Sequence, residues 1–515
     1  SWPYWKPINK LTHLKYLKVM TKILSKDCML FSKNIGLHGL TICMVFLSYL
    51  IFNPVYSQGN KSFKAGAYKS NISPKLGGPI IGGGNSPPAG YIHDELYARS
   101  IVLDDGENKL VMVTVDNVGV DQKVFDVAKK SIEEATGIPA SHILIASTHT
   151  HSATSARGVG DKGREWHPDE PLDEYQSFLA SRISDGVQIA LGNLEPARIG
   201  WGSVDVPQHV FNRRWKMKPG TPTPNPLGGN DIAVMNPGVG NPNLLEPAGP
   251  TDPEVSYLSI QATDGRPLAL FANYSLHYVG GVPTGHVSAD YFGMFAAKIQ
   301  ELLGADRQNP EFVAMMSNGT SGDINNINFR GPRVSRPPYE KMKLVADDVA
   351  MAVMKGYHGI NYLDWVPLDA KQALLNLKVR RPSPELAKFV DEVNARPETV
   401  EGRHRHEKTY AKRIKQMETF PDDIDVVIQA FKIGDLGIGA IPFETFVEIG
   451  LELKEKSPLE DHFTIGLANG LFGYLPTPEQ HKLGGYETWL STNRVEEIAS
   501  DKIIARLLDL LGDMK

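Results

Sequence analysis

Two histidines separated by one residue are the first side chains of this sequence whose types and spacing could do chemistry. His149 and His151 lie in segment 148–152 (THTHS), directly after the run 142–147 (HILIAS), which has the pattern of a β-strand. If the backbone stays extended there, side chains two positions apart point to the same face. Two imidazoles at the C-terminal end of a strand suit metal binding or proton transfer, because α/β proteins bind ligands at that edge. The His-x-His pattern is short and recurs by chance, so it needs partners.

Two further residues could complete a metal site. His277 directly follows the apolar run 267–276 and precedes two glycines, and Glu444 lies at a predicted junction between a strand and a helix. A polar turn, 317–323, follows the next predicted strand near the same edge. Each feature alone is also explained as a helix cap or a solvated loop. Together, two histidines and a carboxylate, with a fourth ligand and an open position, match a hydrolytic zinc ion.

The cysteine count limits the choice of metal ligands. Cys28 and Cys43 are the two cysteines of the chain, and both lie within the first sixty residues. The sequence after residue 60 therefore offers no disulfide, no thiolate zinc ligand and no cysteine nucleophile. A metal there must be bound by His, Asp, Glu or Tyr.

The N-terminal segment 1–58 differs from the rest of the chain. Seven lysines precede an apolar run at 40–52, and a small residue, Ser57, follows it. This order is typical of a secretory signal, and the run is shorter than the roughly 20 residues of a membrane-spanning helix. The alternative is an uncleaved N-terminal anchor. Either reading predicts export, to the periplasm or the medium, of a folded part covering residues 62–515.

Net charge argues against a nucleic-acid partner. The chain has 54 basic and 59 acidic residues, which gives a formal charge of −5, and no long run of like charges. A nucleic-acid-binding surface would require a basic cluster. We therefore expect no nucleic-acid partner.

Elements of alternating type must position these side chains. Residues 109–116, 124–135 and 142–147 predict a strand, a helix and a second strand parallel to the first. The other predicted elements are a strand at 267–276, a helix at 288–303, a strand at 312–317, a hairpin at 426–441, a helix from about 443 and a last helix at about 494–511. The pattern indicates an α/β protein with mixed sheets and flanking helices in a single large domain. Segment 217–253, rich in Pro, Gly and Asn, is interpreted as an ordered loop walling the cleft, in preference to a linker.

Seven motifs in collinear order resemble the catalytic domain of the neutral/alkaline ceramidases, zinc amidases that cleave N-acyl-sphingosine. They are THTHS at 148–152, Asn212-Arg213, TDPEV at 251–255 leading to His277, SADYFG at 288–293, Gly322-Asp323, Pro442-x-Glu444, and Tyr474 with Tyr486. The resemblance runs from about Gly66 to the C-terminus.

The resemblance implies one zinc ion per chain, bound by His149, His277, Glu444 and Tyr474. It also gives catalytic roles to three residues and substrate-binding roles to two others. The catalytic residues are His151, Arg213 and Tyr486, and the substrate-binding residues are Asp323 and Asn325. In chemical terms, His151 could move protons, whereas Arg213 and Tyr486 could donate hydrogen bonds to an oxyanion.

Three departures from the family pattern bear on the substrate. Asn325 stands where the family has a serine, which excludes a serine nucleophile at this position. His277 is followed by Tyr-Val-Gly-Gly rather than a proline-containing turn, and Phe443 replaces a glycine. The chain is also expected to lack the family's C-terminal immunoglobulin-like domain, which weakens the expectation for ceramide more than that for an amidase.

Three interpretations remain. The first is an amidohydrolase acting on an N-acyl substrate, a lipid or a small molecule. The second is a hydrolase of esters or acylated sugars, and the third is a non-catalytic binding protein. The complete set of ligand types and oxyanion donors argues against the third. Contact with a membrane surface and the oligomeric state are left open.

Overall fold

A computed structural model describes residues 61–80, 88–154, 156 and 169–515 of the chain. The strands in this part are β1 Lys64–Asn71, β2 Tyr91–Ile92, β3 Tyr97–Asp104, β4 Lys109–Val115, β5 Ile143–Ser147, β6 Glu195–Asp205, β7 Phe211–Asn212, β8 Arg214–Met217, β9 Ala233–Met235, β10 Leu244–Pro247, β11 Glu254–Ala262, β12 Pro267–Tyr274, β13 His286–Val287, β14 Val313–Asn318, β15 Ile324–Asn325, β16 Leu368–Lys378, β17 Asp423–Ile433, β18 Leu436–Ala440, β19 Glu444–Thr445, β20 Asp461–Ile465 and β21 Tyr474–Leu475. The helices are α1 Gln122–Thr136, α2 Glu174–Gly192, α3 Asp290–Leu302, α4 Glu340–Tyr357, α5 Pro384–Ala395, α6 Glu407–Gln416, α7 Val447–Lys456, α8 Pro478–Leu483 and α9 Ala499–Gly512.

Eight strands form one mixed sheet in the order β14-β12-β11-β6-β1-β3-β4-β5. The central pairs are antiparallel, whereas the pair at each edge, β12 with β14 and β4 with β5, is parallel. Helix α1 connects β4 to β5, as the sequence predicts. Its buried residues Val124, Phe125, Ala128 and Ile132 recur at helical spacing, so one face of the helix covers the sheet.

A second sheet has the order β16-β17-β18-β20, with β18 and β20 parallel. Its inner face packs against the eight-stranded sheet, where the rings of Phe271 and Phe463 stack with centroids 5.9 Å apart. Helices α1–α4 cover the outer face of the large sheet, and α5, α6 and α9 cover that of the smaller sheet. The result is a four-layer α/β protein with mixed sheets and flanking helices, which confirms the predicted fold class.

The structure departs from the sequence expectations in two places near the C-terminus. The helix expected from about residue 443 begins at Val447, because the two-residue strand β19 comes first and pairs in parallel with β21. The last helix begins at Ala499 rather than near residue 494. Segment 217–253 is ordered and contains β9 and β10, which form a three-stranded sheet with β8.

The predicted signal or anchor, 1–58, lies outside the described residues. Within the described part of the chain, no helix combines the length and apolar character needed to cross a membrane.

Candidate functional site

The C-terminal ends of β5 and β14, the two outermost strands of the large sheet, lie close together beside the end of β20 in the smaller sheet. Asn318, the last residue of β14, donates a side-chain hydrogen bond to the carbonyl of Thr148, which follows β5. The carbonyl of Asn318 accepts a hydrogen bond from the amide of Gly466, just after β20. These contacts bring the segments after three strands together, and His149 and His151 lie on the segment after β5. His277 follows β12, which is paired in parallel with β14.

The backbone at His149 is left-handed, with φ of 73°, rather than extended. The prediction that residues 149 and 151 share a face because the strand continues is therefore wrong in its geometry. The two side chains converge nevertheless, with their Nε2 atoms 3.1 Å apart. A left-handed non-glycine residue costs on the order of 1–3 kcal/mol, and such residues are enriched at functional sites. Here the amide of His149 donates to the carbonyl of Asn117, which helps to hold this conformation.

The tautomers of His149 and His277 follow from their backbone partners. Nδ1 of His149 lies 2.5 Å from the carbonyl oxygen of Val118, and Nδ1 of His277 lies 3.0 Å from that of Ser321. A carbonyl can only accept, so each Nδ1 carries the proton and each neutral ring presents an Nε2 lone pair. These two Nε2 atoms are 3.1 Å apart. Two facing lone pairs at this distance repel each other unless a cation lies between them.

Glu444 adds a carboxylate to this group. Its Oε2 lies 3.2 Å from Nε2 of His149 and 3.7 Å from Nε2 of His277. Burial alone would raise the pKa of Glu444, but its interactions with His149, Tyr474 and Arg213 outweigh this effect, so the pKa is lowered. Oε2 is buried and has no hydrogen-bond partner among the described residues. An ionised oxygen in that position fits a metal ligand.

The donor set can therefore bind a metal ion. The ligand nitrogens of His149, His151 and His277 lie within 4.8 Å of one another. Imidazole and carboxylate are the donors that zinc prefers when thiolates are absent. His151 belongs to this cluster as well, although the sequence suggested a proton-transfer role for it rather than a ligand role.

Tyr474 lies beside the cluster on the short strand β21, directly paired with Glu444 on β19. Its side chain is buried, and its hydroxyl forms a hydrogen bond with the carboxylate of Glu444. Burial, and then the negative charge of Glu444, keep the pKa of Tyr474 well above its usual value. The structure thus brings all four predicted ligands to one place.

Arg213 lies next to Tyr474 and is held by a buried carboxylate. Nη2 of Arg213 lies 3.1 Å from the Tyr474 hydroxyl, and its Nε lies 2.9 Å from Glu487 Oε1. The other oxygen of Glu487 accepts from Arg214 at 2.8 Å. Burial would lower the pKa of Arg213, but Tyr474 and Glu487 raise it instead. Sequence reasoning missed Glu487, although it follows Tyr486 directly.

Asp323 is fully buried behind Arg213. Its carboxylate oxygens accept from the Val447 amide at 2.9 Å and from the Asn212 side chain at 2.8 Å. Its carbonyl accepts from the Arg213 amide at 2.8 Å. The predicted contact of Asp323 with substrate stays a prediction, whereas these bonds are those of a residue that positions Arg213 and α7.

Asn325 lies on β15, with 7 % of its surface exposed, and donates a hydrogen bond to Asn236 of segment 217–253. The amide of Asn236 in turn donates to the carbonyl of Arg213. Segment 217–253 therefore contacts the candidate site, and the predicted substrate-binding role of Asn325 stays a prediction.

Two tyrosines, Tyr486 and Tyr278, lie beside residues of the site. The ring of Tyr486 lies 5.7 Å from that of Tyr474 and is half-buried. The ring of His151 stacks on Tyr278 with centroids 3.7 Å apart. Burial, with smaller effects of His149 and Arg213, holds the pKa of His151 well below its usual value, so the ring is neutral. Tyr278 belongs to the turn after His277 that departs from the family pattern, and the sequence did not indicate its contact with His151.

Fold and site together define a mixed α/β protein with a buried cluster able to bind a metal ion. No known protein-family model matches the chain. The fold is similar to that of the neutral ceramidase from Pseudomonas aeruginosa, with a TM-score of 0.64 and 15 % sequence identity over 88 % of this chain and 75 % of that one. It is also similar to a ceramidase complexed with C2, with a TM-score of 0.63 and 16 % identity over the same shares of the two chains. At these identities the similarity establishes a ceramidase-like fold.

Proposed function

We propose that this chain is a zinc-dependent amidohydrolase that cleaves the amide bond of an N-acyl substrate, with ceramide or a ceramide-like lipid as the first candidate. One observation carries the proposal: two Nε2 lone pairs and the unpartnered oxygen of Glu444 converge on one point. The similarity of the fold to two ceramidases supports an amide rather than another substrate. Export by the segment 1–58 is part of the same proposal.

The residues divide into ligands and groups that act on the substrate. His149, His277, Glu444 and Tyr474 would hold the ion, with His151 beside them. When bound, zinc supplies a Lewis acid that polarises a carbonyl and makes water reactive near neutral pH.

Side chains of the protein would transfer the protons and stabilise the oxyanion. His151, neutral and stacked on Tyr278, accepts a proton from the attacking water and returns it to the leaving amine. Arg213 and Tyr486 donate hydrogen bonds to the developing oxyanion, each contributing about 3 kcal/mol. Glu487 keeps Arg213 directed toward this position.

Zinc content and activity test the proposal together. We expect one zinc ion per chain by elemental analysis of the purified protein, and at least a tenfold loss of zinc affinity in His277→Ala. The control is His358→Ala, which removes an exposed histidine at the end of α4 and should change neither quantity. Hydrolysis should be measured on N-acyl sphingosines, N-acyl amino acids, N-acetyl sugars and matched esters.

The results separate the alternatives. Release of amine from the amides, lost in His277→Ala, supports the proposal, whereas turnover of the esters or sugars alone would replace it with the second interpretation. If neither the purified nor the zinc-reconstituted protein contains zinc, the proposal fails.

A further inference from the structure

We propose that the cavity beside the candidate metal centre binds an anionic group of the substrate, a carboxylate or a phosphate monoester, through Arg413 and Arg494. The inference rests on the proposed function and, among its N-acyl substrates, favours those that carry a negative charge close to the amide over neutral ceramide itself. The cavity has a volume of about 150 Å³ and shares Glu444, Tyr474 and Tyr486 with the site already described.

The lining of this cavity is polar and basic. It contains two guanidinium groups, and Gln416, Ser491 and Thr492 add neutral polar side chains. Glu444 is the single acidic residue of the lining, and its Oε2 is directed at His149. Met417 is the one aliphatic side chain of the lining. An alkyl chain would gain little here, whereas an anion would meet two cations and several hydrogen-bond donors.

Aromatic rings help to hold both arginines in place. The guanidinium carbon of Arg413 lies 5.1 Å from the centre of the Tyr410 ring, and that of Arg494 lies 5.5 Å from the centre of the Phe420 ring. Tyr410 is fixed in turn, because its hydroxyl is hydrogen-bonded at 2.5 Å to Thr492. Stacking on a ring orients a guanidinium without neutralising its charge.

The charge of Arg413 is not neutralised by a neighbour. Among the ion pairs found in the described part of the chain, none includes Arg413, although the residue is half-buried. A partly buried cation without a carboxylate partner favours the binding of an anion from outside. The same helix turn also carries Lys415, which pairs with Asp391 and Glu418 at the surface. A positive charge near the C-terminal end of a helix interacts favourably with the helix dipole, and Lys415 already provides that charge on α6. The helix dipole therefore does not by itself explain Arg413.

The volume of the cavity indicates which part of a substrate it can hold. Pockets that enclose a whole drug-sized ligand have volumes of about 300–1,000 Å³. A cavity of about 150 Å³ takes a headgroup, and the rest of the molecule must extend elsewhere. Because Glu444 and Tyr474 line the same cavity, a headgroup bound there lies next to the ion-binding residues and thus next to the scissile amide.

Paired substrates that differ in one charge test the inference. One pair is N-lauroylglycine and its neutral carboxamide, and the other is ceramide 1-phosphate and ceramide. We expect the wild type to show a kcat/KM at least tenfold higher for the charged member of one pair, and the pair that shows it distinguishes carboxylate from phosphate. In Arg413→Gln the ratio should fall toward one, and in Arg413→Lys it should be partly retained. Lys412→Gln, which removes an exposed charge from the adjacent position of α6, should keep the wild-type ratio.

A binding measurement separates this inference from the proposed function. Calorimetric titration with inorganic phosphate should show at least tenfold weaker binding to Arg413→Gln than to wild type and Lys412→Gln, with circular dichroism confirming that each variant is folded. Phosphate binding that depends on Arg413 supports the anion site even if no amide is hydrolysed. If amides are hydrolysed with equal rates for charged and neutral members, and Arg413→Gln changes neither rates nor phosphate binding, the anion site is refuted while the amidohydrolase stands.

Discussion

The buried carboxylate of Glu487 gives the sharpest test of how the site is held together. Its two oxygens lie 2.9 Å from Arg213 and 2.8 Å from Arg214, and neither Glu487 nor Arg214 is exposed at all. Glu487→Gln keeps the shape of the side chain and removes its charge, which leaves two buried guanidinium groups without this counter-charge. Removing one member of a buried ion pair typically costs about 3–5 kcal/mol. We expect the free energy of unfolding to fall by about 4 kcal/mol.

Urea unfolding followed by circular dichroism measures this loss. The matched control is Glu479→Gln. Glu479 precedes Glu487 by eight residues, and its side chain is 77 % exposed and pairs with Lys482. An exposed pair contributes less than about 1 kcal/mol, so this variant should behave like wild type. Arg213 also loses its support in Glu487→Gln, and hydrolysis should fall about a hundredfold, as for a lost oxyanion donor. A change in stability below about 1 kcal/mol for Glu487→Gln would refute the reasoning.

Two further predictions concern the backbone of the site and a buried lysine. A methyl group on Gly322 would lie 2.4 Å from the carbonyl oxygen of Glu444, so Gly322→Ala should displace this loop, weaken zinc binding and cost about 1–3 kcal/mol in urea unfolding. Gly192→Ala, where the new methyl group meets no atom within 4 Å, is the control and should be neutral. Burial lowers the pKa of Lys129 to about 8, against a smaller opposing effect of Asp126. Between about pH 8 and 10.5 the folded protein therefore binds fewer protons than the unfolded chain, and stability contributed by this group rises with pH by on the order of 3 kcal/mol. The difference in unfolding free energy between wild type and Lys129→Met should increase accordingly between pH 7.5 and 10, and a constant difference would contradict the assignment.

Periodic patterns predicted the elements that frame the site. The strand before His149, helix α1 and the parallel edge of the large sheet follow from runs long enough to show a period of two or 3.6 residues. Strands β19 and β21 have two residues each, which is too short to show a periodic pattern. The pairing of Glu444 with Tyr474 therefore could not be predicted from periodicity. The left-handed backbone of His149 was also beyond prediction, because it is imposed by tertiary hydrogen bonds rather than by a glycine.

The side chains of the site also differ in whether the sequence could identify them. His149, His151 and His277 stood out because histidines directly after strands are unusual. Tyr474, Arg213 and Tyr486 were proposed through the resemblance to a family, since isolated tyrosines and arginines have no pattern of their own. Glu487 was missed, and the contact of Tyr278 with His151 was not predicted, because both depend on which distant residue the side chain meets.

The candidate ligands are distributed along the chain, and this sets the order in which the site can form during synthesis. His149 is made early, but Glu444 and Tyr474 follow some 300 residues later, and the strand pair that joins them needs both segments. A nascent chain that ends before residue 474 has part of the cluster and cannot close it. An ion held by all four predicted ligands could therefore be captured only after every strand of the two large sheets has been synthesised.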